Sequence, residues 1–267
     1  MILIASAIVM AGCKTLEPFS QSMRTRVAAA RQWTGNGVAA VRRGSVSEAR
    51  DYFTKASSQL PKDHEIVVNL ARTHFQEGQF QPAIKELNRA IEINGPDEKL
   101  LVELGQYLLA DGQVDAASEK VQQALQENHR HAGAWLLSGK IHAAKGDDQT
   151  ALGDFQKAIG IDPSREDIQL EIVRGYRRLN DPLRALSAVE NILEQYPSHH
   201  QPAAAIVEKS QALVQLKQNK SAIETLNQAI AAGNKSPEIG LALSQLSVDQ
   251  ADLRIAGKSG PEQALTR

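Results

Sequence analysis

Seven histidines and a single cysteine are the residues in this chain best suited to metal or acid–base chemistry, and their spacing argues against both. His129 with His131, and His199 with His200, lie close enough to share a metal. Neither pair is completed by the Cys, Asp or Glu spacing of a metal motif. His74 and His142 stand at equivalent places in a repeating pattern and read as packing, and His64 follows a capping aspartate, Asp63, at a helix start. No glycine-rich phosphate loop, nucleophile elbow or HExxH sequence occurs, and the carboxylates are spread among lysines and arginines. No catalytic residue, metal or cofactor is therefore expected. Two features remain. Cys13 follows an uncharged apolar run at residues 2–10 and the small pair Ala11–Gly12, and Arg174, Arg177 and Arg178 crowd one helical turn.

The elements that must position these residues are repeats. Alanine returns every 34 residues, at Ala49, Ala83, Ala117, Ala151 and Ala185. Twelve residues before each stands Gly37, Ala71, Gly105, Gly139 or Val173, and seven residues after those comes Gly44, Gly78, Gly112, Gly146 or Asn180. A fixed period of this length means stacked supersecondary units, each unable to bury its apolar face alone. In residues 132–165, Trp135, Gly139 and His142 share one helical face, Gly146 ends that helix, and Ala151, Phe155 and Ala158 line a second. Pro163 ends the second helix, and Ser164 is placed to cap the next. Small residues belong where two helix axes pass closely and large ones beside them, which assigns Gly139 and Ala151 to the crossing and Trp135 and Phe155 to the filling.

These residues resemble the tetratricopeptide repeat, which favours Trp, Leu, Gly, Tyr, Ala, Phe, Ala and Pro at positions 4, 7, 8, 11, 20, 24, 27 and 32. Residues 132–165 match most closely, through Trp135, Gly139, Ala151, Phe155, Ala158 and Pro163. Residues 30–63 follow with Trp33, Gly37, Ala49, Phe53, Ala56 and Pro61. The resemblance implies an all-α, right-handed superhelical solenoid of antiparallel helix pairs. Six repeats are expected, at 30–63, 64–97, 98–131, 132–165, 166–199 and, after a three-residue insertion, 203–236. Ser236 and Pro237 then open a capping helix over 237–255, with a flexible tail at 256–267.

The N-terminus carries a second resemblance. The apolar run ending in Ala11–Gly12–Cys13 is similar to the lipobox of bacterial lipoproteins, although Met10 replaces the usual leucine and no Lys or Arg opens the segment. It implies a signal peptide at 1–12, lipidation of Cys13, and a tether and lead-in helix at 13–29. Lys14 follows the cysteine, where aspartate would mark inner-membrane retention, so the expected location is the outer membrane, facing the periplasm. The rival reading is a cytoplasmic adaptor or co-chaperone in which residues 2–10 are simply helix.

The family lines a groove with the first helix of each pair, and here that face offers Arg72, Lys99, Lys140, Arg174, Arg177 and Arg178. A formal net charge of −1 gives no basic excess for nucleic acid. The expected partners are protein or peptide segments, acidic ones for this face, together with the membrane through the anchor, and no small-molecule substrate. The family's carboxylate clamp is absent: Asn69 and Lys99 match it, but Thr34, Val38 and Glu103 occupy its other positions. Packed so closely, Arg174, Arg177 and Arg178 are expected to repel one another and contribute nothing to the fold. The whole reads as a non-enzymatic scaffold for envelope assembly or secretion-type complexes, similar in size to the pilotin lipoproteins.

Overall fold

The computed structural model describes the backbone of residues 3–258 and the side chains of residues 21–248. Cys13 and the tail from 259 onward lie outside those limits for any statement about side chains. Thirteen α-helices and one 3-10 turn make up the described chain, with no strand among the described residues. They fall into two compact units dividing between His129 and Arg130.

In the first unit, α1 (Leu3–Arg42) packs along α2 (Val46–Gln59), α3 (His64–Gln76) along α4 (Phe80–Asn94), and α5 (Glu98–Ala110) along α6 (Val114–Glu127). In the second, α7 (Ala132–Ala144) pairs with α8 (Asp148–Ile161), α9 (Glu166–Arg178) with α10 (Pro182–Leu193), and α11 (Ala203–Gln215) with α12 (Asn219–Ala231). The 3-10 turn Ser198–His200 joins α10 to α11, and α13 (Pro237–Lys258) lies against α11 and α12. Ile239 carries that last contact and is fully buried.

The repeated alanines explain why the pairs close. Ala49, Ala83, Ala117, Ala151, Ala185 and Ala222 are all completely buried, and Phe53, Leu87, Val121, Phe155, Val189 and Leu226, each four residues later, are at most 2% exposed. A Cβ added at Gly139 would collide with the Phe155 ring and come within 3.0 Å of the Ala151 carbonyl oxygen. One at Gly37 would come within 2.8 Å of the Phe53 ring. Only glycine lets each aromatic side chain cross the partner helix at this depth.

Each first helix ends alike. At Gly146 (φ +81) the Gly146 N–H donates to the Ala143 carbonyl and the Asp147 N–H to the His142 carbonyl. These two bonds satisfy the last free carbonyls of the helix. Asn180 and Lys217 hold the same left-handed turn without glycine, at φ 57 and 61. Four helix starts are closed by aspartates: Asp63 accepts from the Ile66 N–H, Asp97 from Lys99 and Leu100, Asp147 from Thr150 and Asp181 from Arg184.

One expectation about helix starts is corrected. Ser164 does not cap α9; its hydroxyl turns back to Asp162 Oδ1 at 2.8 Å, and Arg165 takes the cap position with no side-chain bond. His131, which no metal motif completes, has a structural role: its Nδ1 accepts the Ala134 N–H at 3.0 Å and caps α7.

Candidate protein-binding site

The first helices bring the predicted cations together with carboxylates from the next repeat. Arg72 on α3 grips Glu103 on α5 through two parallel bonds, both 2.8 Å. Lys140 on α7 lies 3.9 Å from Glu171 on α9, and Arg174 on α9 donates to Glu208 on α11 at 2.7 Å. In all three, the cation at repeat position 9 meets the glutamate at position 6 of the following repeat. The spacing is 31 residues twice, and 34 where the three-residue insertion intervenes.

The arginine cluster of α9 is thus a network and not a set of free charges. Glu208, only 5% exposed, receives both Arg174 and Arg177. Arg174 also reaches Glu171 at 2.9 Å, and Arg178 pairs with Asp148 on α8. Burial pulls the Arg174 pKa down, but its bond to Glu208 and the charges of Glu208 and Glu171 override that and leave it above the ordinary value. The expectation that these arginines contribute nothing to the fold is therefore corrected. Their mutual repulsion is offset by a buried carboxylate that bridges α9 and α11, and removing one partner of such a pair leaves a buried charge uncompensated. Lys99 differs, being exposed and holding no ion pair among the described residues.

Two shallow grooves follow from this arrangement. In the first unit, about 310 Å³ opens between α3 and α5, lined by Asn69, Arg72, Lys99 and Glu103 over Val68 and Leu100. Tyr107 backs it: its hydroxyl donates to Glu103 Oε1 at 2.7 Å and its ring stacks on Phe75 with centroids 4.2 Å apart. Burial first, and then the Glu103 charge, raise the Tyr107 pKa far above the usual phenol value, so it stays a neutral donor. In the second unit, about 300 Å³ is lined by Arg174, Arg177, Arg178, Glu208 and Gln215. Glu208 is the one carboxylate of that lining; Glu171, Asp148 and Lys140 belong to the same ion-pair network outside it, and the Arg177 Nε–H is buried with no acceptor among the described residues.

One polar cluster escaped the sequence reading. Asp154 on α8 is 3% exposed and accepts from Ser138 Oγ at 2.7 Å and Lys157 Nζ at 2.9 Å, with His142 Nδ1 at 2.9 Å. Ser, His and Asp here do not form a nucleophile, because the serine donates to the aspartate and is itself buried. His142 is thus hydrogen-bonded as well as packed, and the cluster locks α7 to α8. Among the described residues no group of three His, Cys, Asp or Glu could hold a metal, and no helix is long and apolar enough to cross a membrane.

Antiparallel helix pairs on a 34-residue period, crossing at small residues, define an α-helical repeat protein. Within that class the chain belongs to the tetratricopeptide repeat family, whose models match residues 40–101, 102–166 and 170–237. Among curated proteins it is 25% identical over 162 residues to BBSome complex member BBS4 of Bos taurus, covering 61% of this chain and 31% of that one. It is 27% identical over 111 residues to DnaJ homolog subfamily C member 7 of Homo sapiens, covering 42% and 22%. The chain spans less than a third of the length of these relatives. Among solved structures it is similar to the APC/C hetero-tetramer Cut9–Hcn1 (TM-score 0.67, 20% identity, 87% of this chain and 45% of that one). It is also similar to pilF of Pseudomonas aeruginosa (TM-score 0.62, 15% identity, 83% and 99%). At those identities the likeness concerns the fold.

Proposed function

We propose that this chain is a non-enzymatic scaffold that holds segments of partner proteins against the first helices of its repeats, with the α9–α11 face taking an acidic one. The observation that carries this reading is the groove of the second unit, lined by Arg174, Arg177 and Arg178 against a single carboxylate, Glu208. A partner carboxylate supplies the missing negative charge. It meets donors already held in place, so little ordering is needed on binding. The descriptions of two similar proteins, a BBSome complex member and an APC/C hetero-tetramer, name multi-protein assemblies, in keeping with a scaffold.

The same proposal places the chain in the cell envelope, anchored to the outer membrane through acyl groups on Cys13 and facing the periplasm. Its support is the apolar run at 2–10 followed by Ala11–Gly12–Cys13. The alternative is a cytoplasmic adaptor or co-chaperone without an anchor.

Titration of the full chain with short acidic peptides, their C-termini free or amidated, tests the binding. Affinity should weaken as salt rises and fall about fivefold or more in Arg178→Glu, since that arginine is accessible at the groove edge. Free-terminus peptides that bind better than amidated ones identify a terminal carboxylate; equal binding identifies acidic side chains. Affinity that ignores both salt and Arg178→Glu sinks the proposal.

A further inference from the structure

The first helix differs from the others in how its cations are used. Residues 18–47 hold five arginines and no carboxylate. Two of the five are engaged: Arg26 donates to the Gln59 carbonyl at the end of α2 at 2.6 Å, and Arg43 pairs with Glu48 at 3.1 Å. Arg24, Arg31 and Arg42 are exposed and hold no ion pair among the described residues. They stand seven and eleven residues apart, about two and three helical turns, and so share one face of α1. Ala30, Gly37 and Ala40 lie on the opposite face and are buried, Gly37 directly against Phe53 of α2.

Apolar side chains accompany this charge. Met23, Val38 and Val41 are three of the seven large hydrophobic side chains left exposed among the described residues, and all three lie along one flank of the arginine stripe. The neighbouring helix α3 adds one exposed carboxylate, Glu65, which shares a shallow opening with Arg31 but makes no ion pair with it. Asp63, in the same opening, is engaged in capping α3. The face therefore keeps a cationic excess. It also extends past the helix pair, because Arg26 already meets the last residue of α2 while the α1 backbone continues to Leu3.

We infer that this face of α1 is a membrane-surface contact, seated on anionic phospholipid. An acidic peptide answers the charge alone. A bilayer surface answers both features at once: lipid phosphates meet Arg24, Arg31 and Arg42 while Met23, Val38 and Val41 enter the acyl boundary, the arrangement of a basic amphipathic helix lying in an interface. Arginine suits this role, since its planar fork pairs with phosphate through two bonds. Arg24 stands about 17 Å along the same helix from Cys13, so this contact and the proposed acyl anchor reach one bilayer. From the anchor reading the inference takes only which end of the chain the membrane approaches.

Co-sedimentation of the full chain carrying Cys13→Ala, which takes no acyl group, with lipid vesicles tests it. Vesicles of equal parts phosphatidylglycerol and phosphatidylcholine should bind it more tightly than phosphatidylcholine alone, and the difference should shrink as salt rises. Arg24→Gln, Arg31→Gln and Arg42→Gln together should lower binding to the anionic vesicles on the order of a hundredfold, each arginine contributing about fivefold. Lys85→Gln, Lys220→Gln and Lys235→Gln together remove the same charge from exposed positions on other elements and should lower it about twofold at most. Should the triple arginine variant fail to fold, as judged by its melting curve, Arg24→Gln decides alone through its own loss. Equal binding to the two kinds of vesicle, or equal losses in the two triple variants, overturns the inference. Arginine variants that lose acidic peptides but keep vesicle binding identify a protein partner for this face and overturn it too. A wild-type Cys13 that takes up no fatty acid removes the anchor and leaves this result standing, because the chain assayed carries none.

Discussion

Glu208 shows what a single side chain does here. It is a buried carboxylate that receives two guanidinium groups across a repeat boundary, so its removal leaves Arg177 without a counter-charge and Arg174 with Glu171 alone. Breaking a buried pair in this way costs about 3 kcal/mol, reduced by the partial exposure of Arg174. Glu208→Gln should accordingly lower the urea midpoint well below that of Glu194→Gln, an exposed carboxylate just past the end of α10 with no ion pair among the described residues. Equal midpoints would show that the network is ornamental. The arginines were legible in the sequence, but their shared partner was not. The cation and carboxylate sit 31 or 34 residues apart, and only their recurrence at Arg72 and Glu103, Lys140 and Glu171, and Arg174 and Glu208 could have revealed the pairing. Asp154 with Lys157 does recur as Glu86 with Arg89 at the same repeat positions, but nothing in that recurrence marks the bonds from Ser138 and His142. Cys13 makes its own prediction. Expressed in a diderm bacterium, the chain should incorporate labelled fatty acid and sediment with membranes, and Cys13→Ala should do neither. Equal labelling of the two, or a soluble wild type, would remove the anchor from the account.

Helix pairs are where the sequence spoke most clearly. The small residues at Gly37, Gly139 and the recurring alanines mark axis crossings because no larger side chain fits between Phe155 and the facing backbone. Ala151→Leu should therefore destabilise the chain by about 1–3 kcal/mol through overpacking, whereas Gln149→Leu, on the exposed side of α8, should shift the urea midpoint little. Similar midpoints would mean the crossing lies elsewhere. Helix starts were harder to read. Asp63 declared itself by type, but His131 caps α7 with a ring nitrogen, and Ser164 was drawn away by Asp162. A cap depends on which nearby acceptor wins a local competition, and residue type alone does not settle that.

Across the chain, period and composition revealed the family but not the chemistry of its surfaces. Each unit offers cations on its first-helix face, and only the packed structure shows which are already spent on carboxylates and which remain available. Hydrogen exchange of the full chain, with and without a saturating acidic peptide, tests the central claim most directly. The account predicts slowed amide exchange in α9 and α11, around Arg174, Arg178 and Glu208, with α10 and α12 unchanged, and loss of that protection in Arg178→Glu. Protection confined to other helices, or equal protection in Arg178→Glu, would contradict it.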